Sequence, residues 1–450
     1  MFDPLATARG LLPIRQVVRV GVTGLARSGK TALLTSLAAN LLAAGGGFPT
    51  LPALAARLAG RSLRVALAPS GAALLPRFDH RAHVAALAAD PPRWPGRTDA
   101  VSLLALDMDV GRAGLASVLP ARQLRLELLD YPGEWLLDLP MLDQEFSTWS
   151  ESVLRRLDGL TAAQAFLRFI GALPNAAPAD ESLARTGHTL YRTLLHALRD
   201  TMGLALVQPG RFLMPAPGPE PPWIAFFPLG GESPLVGLLR ERYEAYRDAV
   251  RQSLVSPGFG HIDRLVVLAD VLSALHAGPA AFADMQAALA SAAAALRWRG
   301  PFAWLAPLLP QLGGIGRVAF VATKADHVAD RQRGNLGALV RSLTQLPGQA
   351  VSQERAAAFA IASVRCTEDV VWTLDGHPVS AVRGRVAGAA LAGRSYPGEV
   401  PDRVPDATFW QHPFLALPDF EPMRVALGGR LGVPHLGLDR LLAFLLDDLL

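Results

Sequence analysis

The sequence has 450 residues, of which 51% are hydrophobic and 18% charged, and its formal net charge is +4. Such a length predicts roughly two to three domains and a large core, which excludes wholesale disorder, and a single cysteine excludes an intrachain disulfide framework. The near balance of 43 basic and 39 acidic residues indicates no nucleic-acid partner. No apolar run is long enough for a membrane span and no signal pattern is evident, so the cytoplasm is the expected compartment.

Only two of the 43 basic residues are lysine, Lys30 and Lys324. Since the sequence is rich in arginine, a position that keeps lysine is expected to need a compact ammonium group rather than a planar guanidinium. The two lysines are therefore the first places to look for a ligand.

The first lysine lies in a glycine-rich loop between a strand and a helix. Residues 17–22 predict a buried strand, residues 24–31 read GLARSGKT and fit G-x-x-x-x-G-K-S/T, and residues 32–43 predict a helix. The backbone N–H groups of such a loop and the helix dipole hold phosphates. Lys30 would reach the β- and γ-phosphates, and Thr31 would ligate Mg²⁺. The alternative is a chance glycine-rich turn.

A switch threonine is expected on a loop before the second core strand, where it would sense Mg²⁺ and the γ-phosphate. Thr98 precedes the strand predicted at 102–110 and is the candidate. A loop threonine without that role fits the sequence equally well.

Residues 124–129 alternate in polarity like a strand, and DYPGE follows at 130–134, which fits D-x-x-G. Asp130 would hold Mg²⁺, and the Gly133 N–H would contact the γ-phosphate. Glu134 stands where Ras-like enzymes orient the attacking water with glutamine, although its charge opposes the phosphate. The alternative is an ordinary turn at the end of a strand.

Residues 140–260 separate this motif from the next core strand, predicted at 261–270. Three segments have helical periodicity: 146–157, 182–199 and 235–254. The expected organisation is a split nucleotide-binding domain, 1–139 and 261–450, around a mostly helical insertion. That insertion either relays the nucleotide state or only stabilises the fold.

The second lysine follows an apolar strand predicted at 317–322 and lies in TKAD at 323–326. This pattern resembles the N/T-K-x-D guanine signature of the Ras-like GTPase superclass. The Asp326 carboxylate can accept two hydrogen bonds that guanine offers and adenine does not. The Lys324 stem would lie along the base, and Thr323 replaces the commoner asparagine. The alternative is a surface turn.

Two further features bear on the nucleotide. Ser363 and Val364 follow a strand at 358–361 and resemble the short S-A-x loop that faces guanine. Arg27, the fourth residue of the glycine-rich loop, resembles the arginine that guanylate-binding and atlastin proteins use as a finger in cis. Its alternative is an exposed arginine or an ion-pair partner.

Four segments together resemble the YcjX-like bacterial proteins: 20–31, 90–95, 130–140 and 322–328. The motif order predicts an α/β P-loop NTPase with a mostly parallel sheet and helices on both faces, and the resemblance implies the same fold with the helical insertion. It also implies a link to stress responses, a membrane-protein partner and peripheral association with the inner membrane. The oligomeric state stays open.

The preferred interpretation is a Mg²⁺-dependent GTPase switch that converts GTP to GDP and phosphate. The alternatives are an interaction protein that binds guanine nucleotide without hydrolysis, and an ATPase or small-molecule kinase. The predicted nucleotide contacts are Gly24, Arg27, Ser28, Gly29, Lys30, Thr31, Gly133, Thr323, Lys324, Asp326, Ser363 and Val364. The predicted catalytic residues are Arg27, Lys30 and Glu134, and the predicted Mg²⁺ ligands are Thr31, Asp130 and Thr98.

Overall fold

The computed structural model describes most of the chain and divides it into two compact units. Unit 1 comprises Met1–Tyr131, His261–His276 and Gly314–Leu450, and unit 2 comprises Pro132–Gly260 and Ala277–Gly313. The described residues are 15–24, 28–69, 76–96, 101–112, 114, 120–131, 133–202, 204, 208–214, 219–255, 262–295, 316–344, 355–389, 391–412, 414, 417–426 and 431–450.

Unit 1 is built on a seven-stranded sheet within these residues, with strand order β2-β3-β4-β1-β5-β6-β7. The strands are β1 (Gln16–Gly24), β2 (Leu63–Ala68), β3 (Ser102–Val110), β4 (Arg122–Asp130), β5 (Arg264–Ala269), β6 (Arg317–Ala322) and β7 (Ala356–Ala360). Five neighbouring strands, β4, β1, β5, β6 and β7, run parallel to one another. β2 and β3, at one edge of the sheet, pair antiparallel. β5 is buried along its whole length, which explains its continuous apolar sequence.

Eleven α-helices lie within the described part of the chain. They are α1 (Lys30–Gly45), α2 (Pro52–Leu58), α3 (His80–Ala88), α4 (Phe146–Leu157), α5 (Gln164–Gly171), α6 (Glu181–Asp200), α7 (Pro234–Val255), α8 (Val271–Ala277), α9 (Pro279–Ala295), α10 (Asp330–Leu343) and α11 (Leu438–Leu446). None of the helices in the described residues is long and apolar enough to cross a bilayer.

Helices cover the sheet of unit 1. α1 packs on β1, β2 and β4, α10 packs on β6 and β7, and α11 packs on β6 and α2. The leucines of α11, including Leu441 and Leu445, are 0–2% exposed and join the same core as Leu33 and Leu37 of α1. The amphipathic tail predicted at 438–450 therefore packs on the domain, as the sequence indicates.

A second sheet in unit 1 has three antiparallel strands in the described residues: β8 (Thr367–Leu374), β9 (His377–Arg385) and β10 (Ala392–Ser395). Asp375 and Gly376 join β8 to β9 with φ of 49° and 81°. These angles match the two-residue hairpin that an Asp-Gly pair predicts.

Unit 2 has an aromatic core. Trp149 of α4 is 0% exposed and stacks on Tyr243 of α7, with ring centroids 5.1 Å apart. Phe226 packs edge to face against Tyr246, 5.2 Å between centroids. Helices α4, α6 and α7 occupy the three segments with helical periodicity, and a 3₁₀ helix, Gly133–Asp143, precedes them.

Candidate functional site

The motifs of unit 1 follow the carboxyl ends of neighbouring parallel strands. Val22 of β1 pairs with Asp130, the last residue of β4, and Gly24 pairs with Leu268 of β5. Ala269 pairs in turn with Ala322, the last residue of β6. The glycine-rich loop, Asp130 and the TKAD segment therefore begin at the same edge of the sheet, where α/β proteins bind ligands.

Gly24 and Gly29 shape the phosphate loop in different ways. A Cβ on Gly24 would lie 2.6 Å from Leu268 Cβ and 2.7 Å from Leu268 O, so only glycine fits. Gly29 has φ of 82° and caps α1, and its carbonyl accepts from Leu33 N–H at 2.9 Å. This left-handed conformation favours glycine because it has no Cβ.

The start of α1 has the chemistry of an anion site. It has no side-chain cap and no acidic residue in its first turn. Lys30 is half-buried, and its Nζ donates to Gly24 O at 3.3 Å. The Ser28 side chain is buried, and its hydroxyl has no hydrogen-bond partner within the described residues. The backbone N–H groups at the start of α1 and this ammonium are the kinds of group that hold a phosphate at a helix N-terminus.

The two predicted metal ligands that the structure describes are oxygen donors. Asp130 is 3% exposed, and its neighbour Tyr131 donates its N–H to Val22 O at 2.8 Å, which holds the end of β4 against β1. The Thr31 carbonyl accepts from the Thr35 hydroxyl at 2.7 Å within α1. A carboxylate and a hydroxyl are the hard ligands that Mg²⁺ prefers, so this donor set fits that ion.

Lys324 is held by an acidic partner. Its Nζ lies 2.5 Å from Asp270 Oδ2 and donates to Ser273 Oγ at 3.4 Å. Its backbone is left-handed, with φ of 59°. Asp270 is the residue directly after β5, and its Oδ1 accepts from Ser273 N–H at 3.1 Å, so it also caps α8.

The Asp326 carboxylate is 1% exposed and hydrogen-bonded to Cys366. Its Oδ2 accepts from Cys366 N–H at 2.7 Å and from the Cys366 thiol at 3.0 Å. The Thr367 hydroxyl donates to the Asp326 carbonyl, and Ala325 N–H donates to Ile361 O at 3.0 Å. The TKAD segment is therefore fixed to the chain that follows β7.

Burial changes the acid–base properties of two neighbours of this carboxylate. His327 is 8% exposed, and burial lowers the pKa of its imidazole, so the ring is neutral. Burial, together with the adjacent Asp326 carboxylate, raises the pKa of the Cys366 thiol. The thiol is therefore a hydrogen-bond donor rather than a reactive thiolate.

The remaining residues predicted near the base have other contacts. Thr323 is buried, and its N–H and hydroxyl both donate to Ala269 O, at 3.0 and 3.3 Å, which ties it to β5. Ser363 is 9% exposed. The Val364 side chain packs in a core cluster with Ala39 and Leu87.

Several predicted residues are not tested by this geometry. Arg27 and Thr98 lie outside the described residues, as does the side chain of Glu134. Gly133 begins the 3₁₀ helix of unit 2, and its contact with a γ-phosphate stays a prediction.

Asp270, Cys366 and Thr367 hold Lys324 and Asp326, the two residues predicted to recognise guanine, and none of the three is a predicted site residue. Asp270 had one available signal, because Asp130 is likewise an aspartate at the carboxyl end of a parallel strand. The contacts of Cys366 depend on the path of the chain after β7, which no local pattern shows.

Comparisons with known proteins agree with this geometry. Residues 18–450 match a family model described as "YcjX-like family, DUF463". The chain is 35% identical to the "Ras-like GTPase YcjX" of Escherichia coli, over 96% of this chain and 95% of that protein. It is 32% identical to the "Ras-like GTPase YcjX" of Shewanella oneidensis, over 96% of this chain and 94% of that protein.

Proposed function

This chain belongs to the YcjX-like family, and we propose that it is a guanine-nucleotide switch that binds GTP with Mg²⁺ and hydrolyses it to GDP and phosphate. The names of the two relatives described above, each a Ras-like GTPase, support this function. The observation that carries it is the strand register. The carboxyl ends of β1, β5 and β6 lie side by side, so the glycine-rich loop and the TKAD segment begin at the same end of the sheet. β5 separates β1 from β6, so the two motifs start about 10 Å apart, a distance that a nucleotide spans.

The phosphate end of the nucleotide would be held by Lys30 and the start of α1. The Lys30 ammonium would exchange its bond to Gly24 O for the β- and γ-phosphate oxygens. Thr31 and Asp130 would hold Mg²⁺, which neutralises charge on the phosphates when bound. The backbone N–H groups at the start of α1 would bind the phosphate together with Lys30, and no acidic side chain in the first turn opposes the anion.

The base would be selected by Asp326. Guanine offers this buried carboxylate two N–H donors and adenine does not, so adenine would forgo two charge-assisted hydrogen bonds, each contributing about 1.5–3 kcal/mol. Lys324, oriented by Asp270, would lie along the base and ribose.

Guanine selection is tested by titrating GDP, GTP and ATP with Mg²⁺ into the protein and into Asp326→Asn. We expect GDP affinity to fall on the order of 100-fold, because two charge-assisted hydrogen bonds are lost. The amide oxygen of asparagine can still accept from Cys366 N–H, so the loop should keep its structure. Asp330→Asn, at a carboxylate 85% exposed, is the matched control. Unchanged GDP affinity in Asp326→Asn, or equal affinity of the parent for ATP, would contradict guanine recognition.

Hydrolysis is proposed to depend on Arg27 and Glu134. The spacing of Arg27 in the loop supports a finger in cis, and such an arginine contributes on the order of 10³–10⁵ in rate. Single-turnover phosphate release should therefore fall steeply in Arg27→Ala while GDP binding stays intact. Equal release by parent and variant would remove Arg27 from the mechanism.

The second candidate is a switch protein that binds guanine nucleotide and does not hydrolyse it. Glu134 favours it, because a glutamate charge opposes the γ-phosphate where glutamine is usual. If the parent protein binds GTP and releases no phosphate from it, this second candidate is the correct one. A membrane-protein partner and a role in stress responses, both implied by the resemblance alone, stay predictions.

A further inference from the structure

Asp326, His327 and Cys366 bring three kinds of metal-binding atom together. One carboxylate oxygen, one imidazole nitrogen and the sulfur all lie within 4.8 Å of one another. Cys366 Sγ is 3.0 Å from Asp326 Oδ2 and 3.5 Å from His327 Nε2. The three residues are 1%, 8% and 4% exposed, respectively.

We propose that Asp326, His327 and Cys366 form a binding site for a thiophilic divalent cation of the Zn²⁺ class, and that this cation competes with guanine nucleotide. The distances between these three residues and their burial are enough to support the cation site. The competition rests on the proposed function, because it needs Asp326 to be the residue that reads the base.

The spacing of sulfur and nitrogen suits the ion, and the sulfur–oxygen pair would open from 3.0 Å to about 3.5 Å on binding. With Zn–S near 2.3 Å and Zn–N near 2.0 Å, tetrahedral coordination puts sulfur and nitrogen about 3.5 Å apart, which is the separation between Cys366 and His327. Phe420 packs edge to face on the His327 ring, with centroids 5.4 Å apart, and restricts its orientation. Cys366 N–H likewise fixes the Asp326 carboxylate at 2.7 Å.

The chemistry of binding is balanced in charge. The cation displaces the Cys366 S–H proton to solvent and forms a bond to the thiolate, while the Asp326 carboxylate and neutral His327 donate lone pairs. A dication with one thiolate and one carboxylate has no net charge, which suits a buried position. Each bound cation should release one proton. Hard ions such as Mg²⁺ should not take the place of the thiophilic cation.

Competition follows from the lone pairs of one oxygen. A carboxylate oxygen has two lone-pair sites, and Cys366 N–H occupies one on Asp326 Oδ2. The thiol uses the other at 3.0 Å, and a cation bound to the thiolate would take that position. A pair of guanine N–H donors would need one position on each carboxylate oxygen, and on Oδ2 the position of the thiol or cation is the one that remains. A bound cation also neutralises the charge that strengthens the hydrogen bonds to guanine.

Cobalt(II) is the probe for the site, because a thiolate–cobalt bond gives a charge-transfer band in the near ultraviolet. Cys366 is the single cysteine of the sequence, so the band can arise only there. Nucleotide-free parent protein should show a saturable band with visible d–d absorption, and Zn²⁺ should abolish both. We expect no band in Cys366→Ser, and weaker cobalt affinity by about tenfold or more in His327→Gln. No thiolate–cobalt band in the parent, in a large excess of cobalt, would overturn the site.

The second measurement is GDP affinity with and without saturating Zn²⁺. Zn²⁺ should lower it by about tenfold or more, and by reciprocity GDP should weaken Zn²⁺ binding by the same factor. GDP should weaken cobalt binding as well. Cys366→Ser should keep its GDP affinity in Zn²⁺. A cobalt band that GDP leaves unchanged, in a protein that binds GDP, would overturn the competition. A cobalt band in a protein that binds no guanine nucleotide would keep the cation site and overturn the proposed function.

Discussion

The two carboxylate oxygens of Asp270 contact the backbone N–H and hydroxyl of Ser273 and the ammonium of Lys324. Oδ1 accepts from Ser273 N–H at 3.1 Å and caps α8, whereas Oδ2 lies 2.5 Å from Lys324 Nζ. A single residue after β5 therefore positions both a helix and the lysine expected to lie along the base. An asparagine could keep the cap and lose the ion pair, which separates these two functions.

Asp270→Asn should lower GDP affinity by about tenfold, since Lys324 loses the charge that orients it. The thermal midpoint should change little, because Lys324 is 37% exposed and such pairs contribute about 1 kcal/mol or less to stability. Calorimetric titration and thermal unfolding measure the two quantities. Glu399→Gln, which removes the exposed pair with Arg331, is the control. A large loss of stability with unchanged GDP affinity would assign Asp270 to the fold alone.

For single residues, the sequence predicts those whose role is marked by a motif of neighbouring residues. Lys30 and Thr31 lie in one motif, and a strand before it and a helix after it place them at a helix start. Lys324 and Asp326 follow from a short pattern at a strand end. Asp270 and Cys366 act through partners 54 and 40 residues away, and such pairs depend on strand order rather than on spacing.

The 3₁₀ helix Gly133–Asp143 carries a buried carboxylate at its centre. Asp138 is 0% exposed, and it accepts from Gly210 N–H at 2.6 Å and from the Tyr246 hydroxyl at 2.7 Å. Arg211 Nε lies 3.8 Å from Oδ2. Burial raises the pKa of Asp138 to about 6, although Arg211 and these hydrogen bonds oppose the shift.

This raised pKa predicts the sign of a pH effect. The unfolded chain has an ordinary pKa of 3.8 here, so the folded state binds the Asp138 proton more tightly. The resulting stabilisation is full below about pH 4 and is lost as the pH rises through about 6. Between pH 7 and pH 5, the free energy of unfolding of the parent should rise by about 1 kcal/mol relative to Asp138→Asn.

Denaturant unfolding at the two pH values measures the difference between the parent and Asp138→Asn. Asp248→Asn is the control, since that carboxylate is 65% exposed and should keep the slope of the parent. Parallel pH dependence of the parent and Asp138→Asn would show that Asp138 binds its proton no more tightly when folded.

Local pattern predicted the amphipathic helices of unit 2 and several apolar strands of unit 1, among them β3 and β6 with their observed bounds. Helix α4, Phe146–Leu157, has the predicted bounds, and α6 and α7 extend the predictions by one residue at each end. β2 was not predicted. It is a short edge strand that pairs with β3 and packs against α1, where a Cβ on Gly45 would lie 2.6 Å from Val65 N. Its structure therefore depends on neighbours distant in sequence.

The whole chain alternates between the two units. Asp130 ends β4 in unit 1, and Gly133, three residues later, begins the 3₁₀ helix in unit 2. The order of motifs could predict that a long segment interrupts the sheet. It could not predict that Ala277–Gly313 belongs to unit 2, because α9 packs against the 3₁₀ helix across more than a hundred residues of chain.

This short connection predicts that nucleotide state changes the dynamics of unit 2. If Gly133 N–H contacts a γ-phosphate, a non-hydrolysable GTP analogue should slow amide exchange across Gly133–Asp143 by about tenfold relative to GDP, because the start of that helix gains a partner. Hydrogen–deuterium exchange with mass spectrometry measures this. The hairpin of β8 and β9 is the internal control and should exchange equally in both states. Equal exchange of Gly133–Asp143 with both nucleotides, at saturation, would mean that the helix does not sense the γ-phosphate and that unit 2 only stabilises the fold.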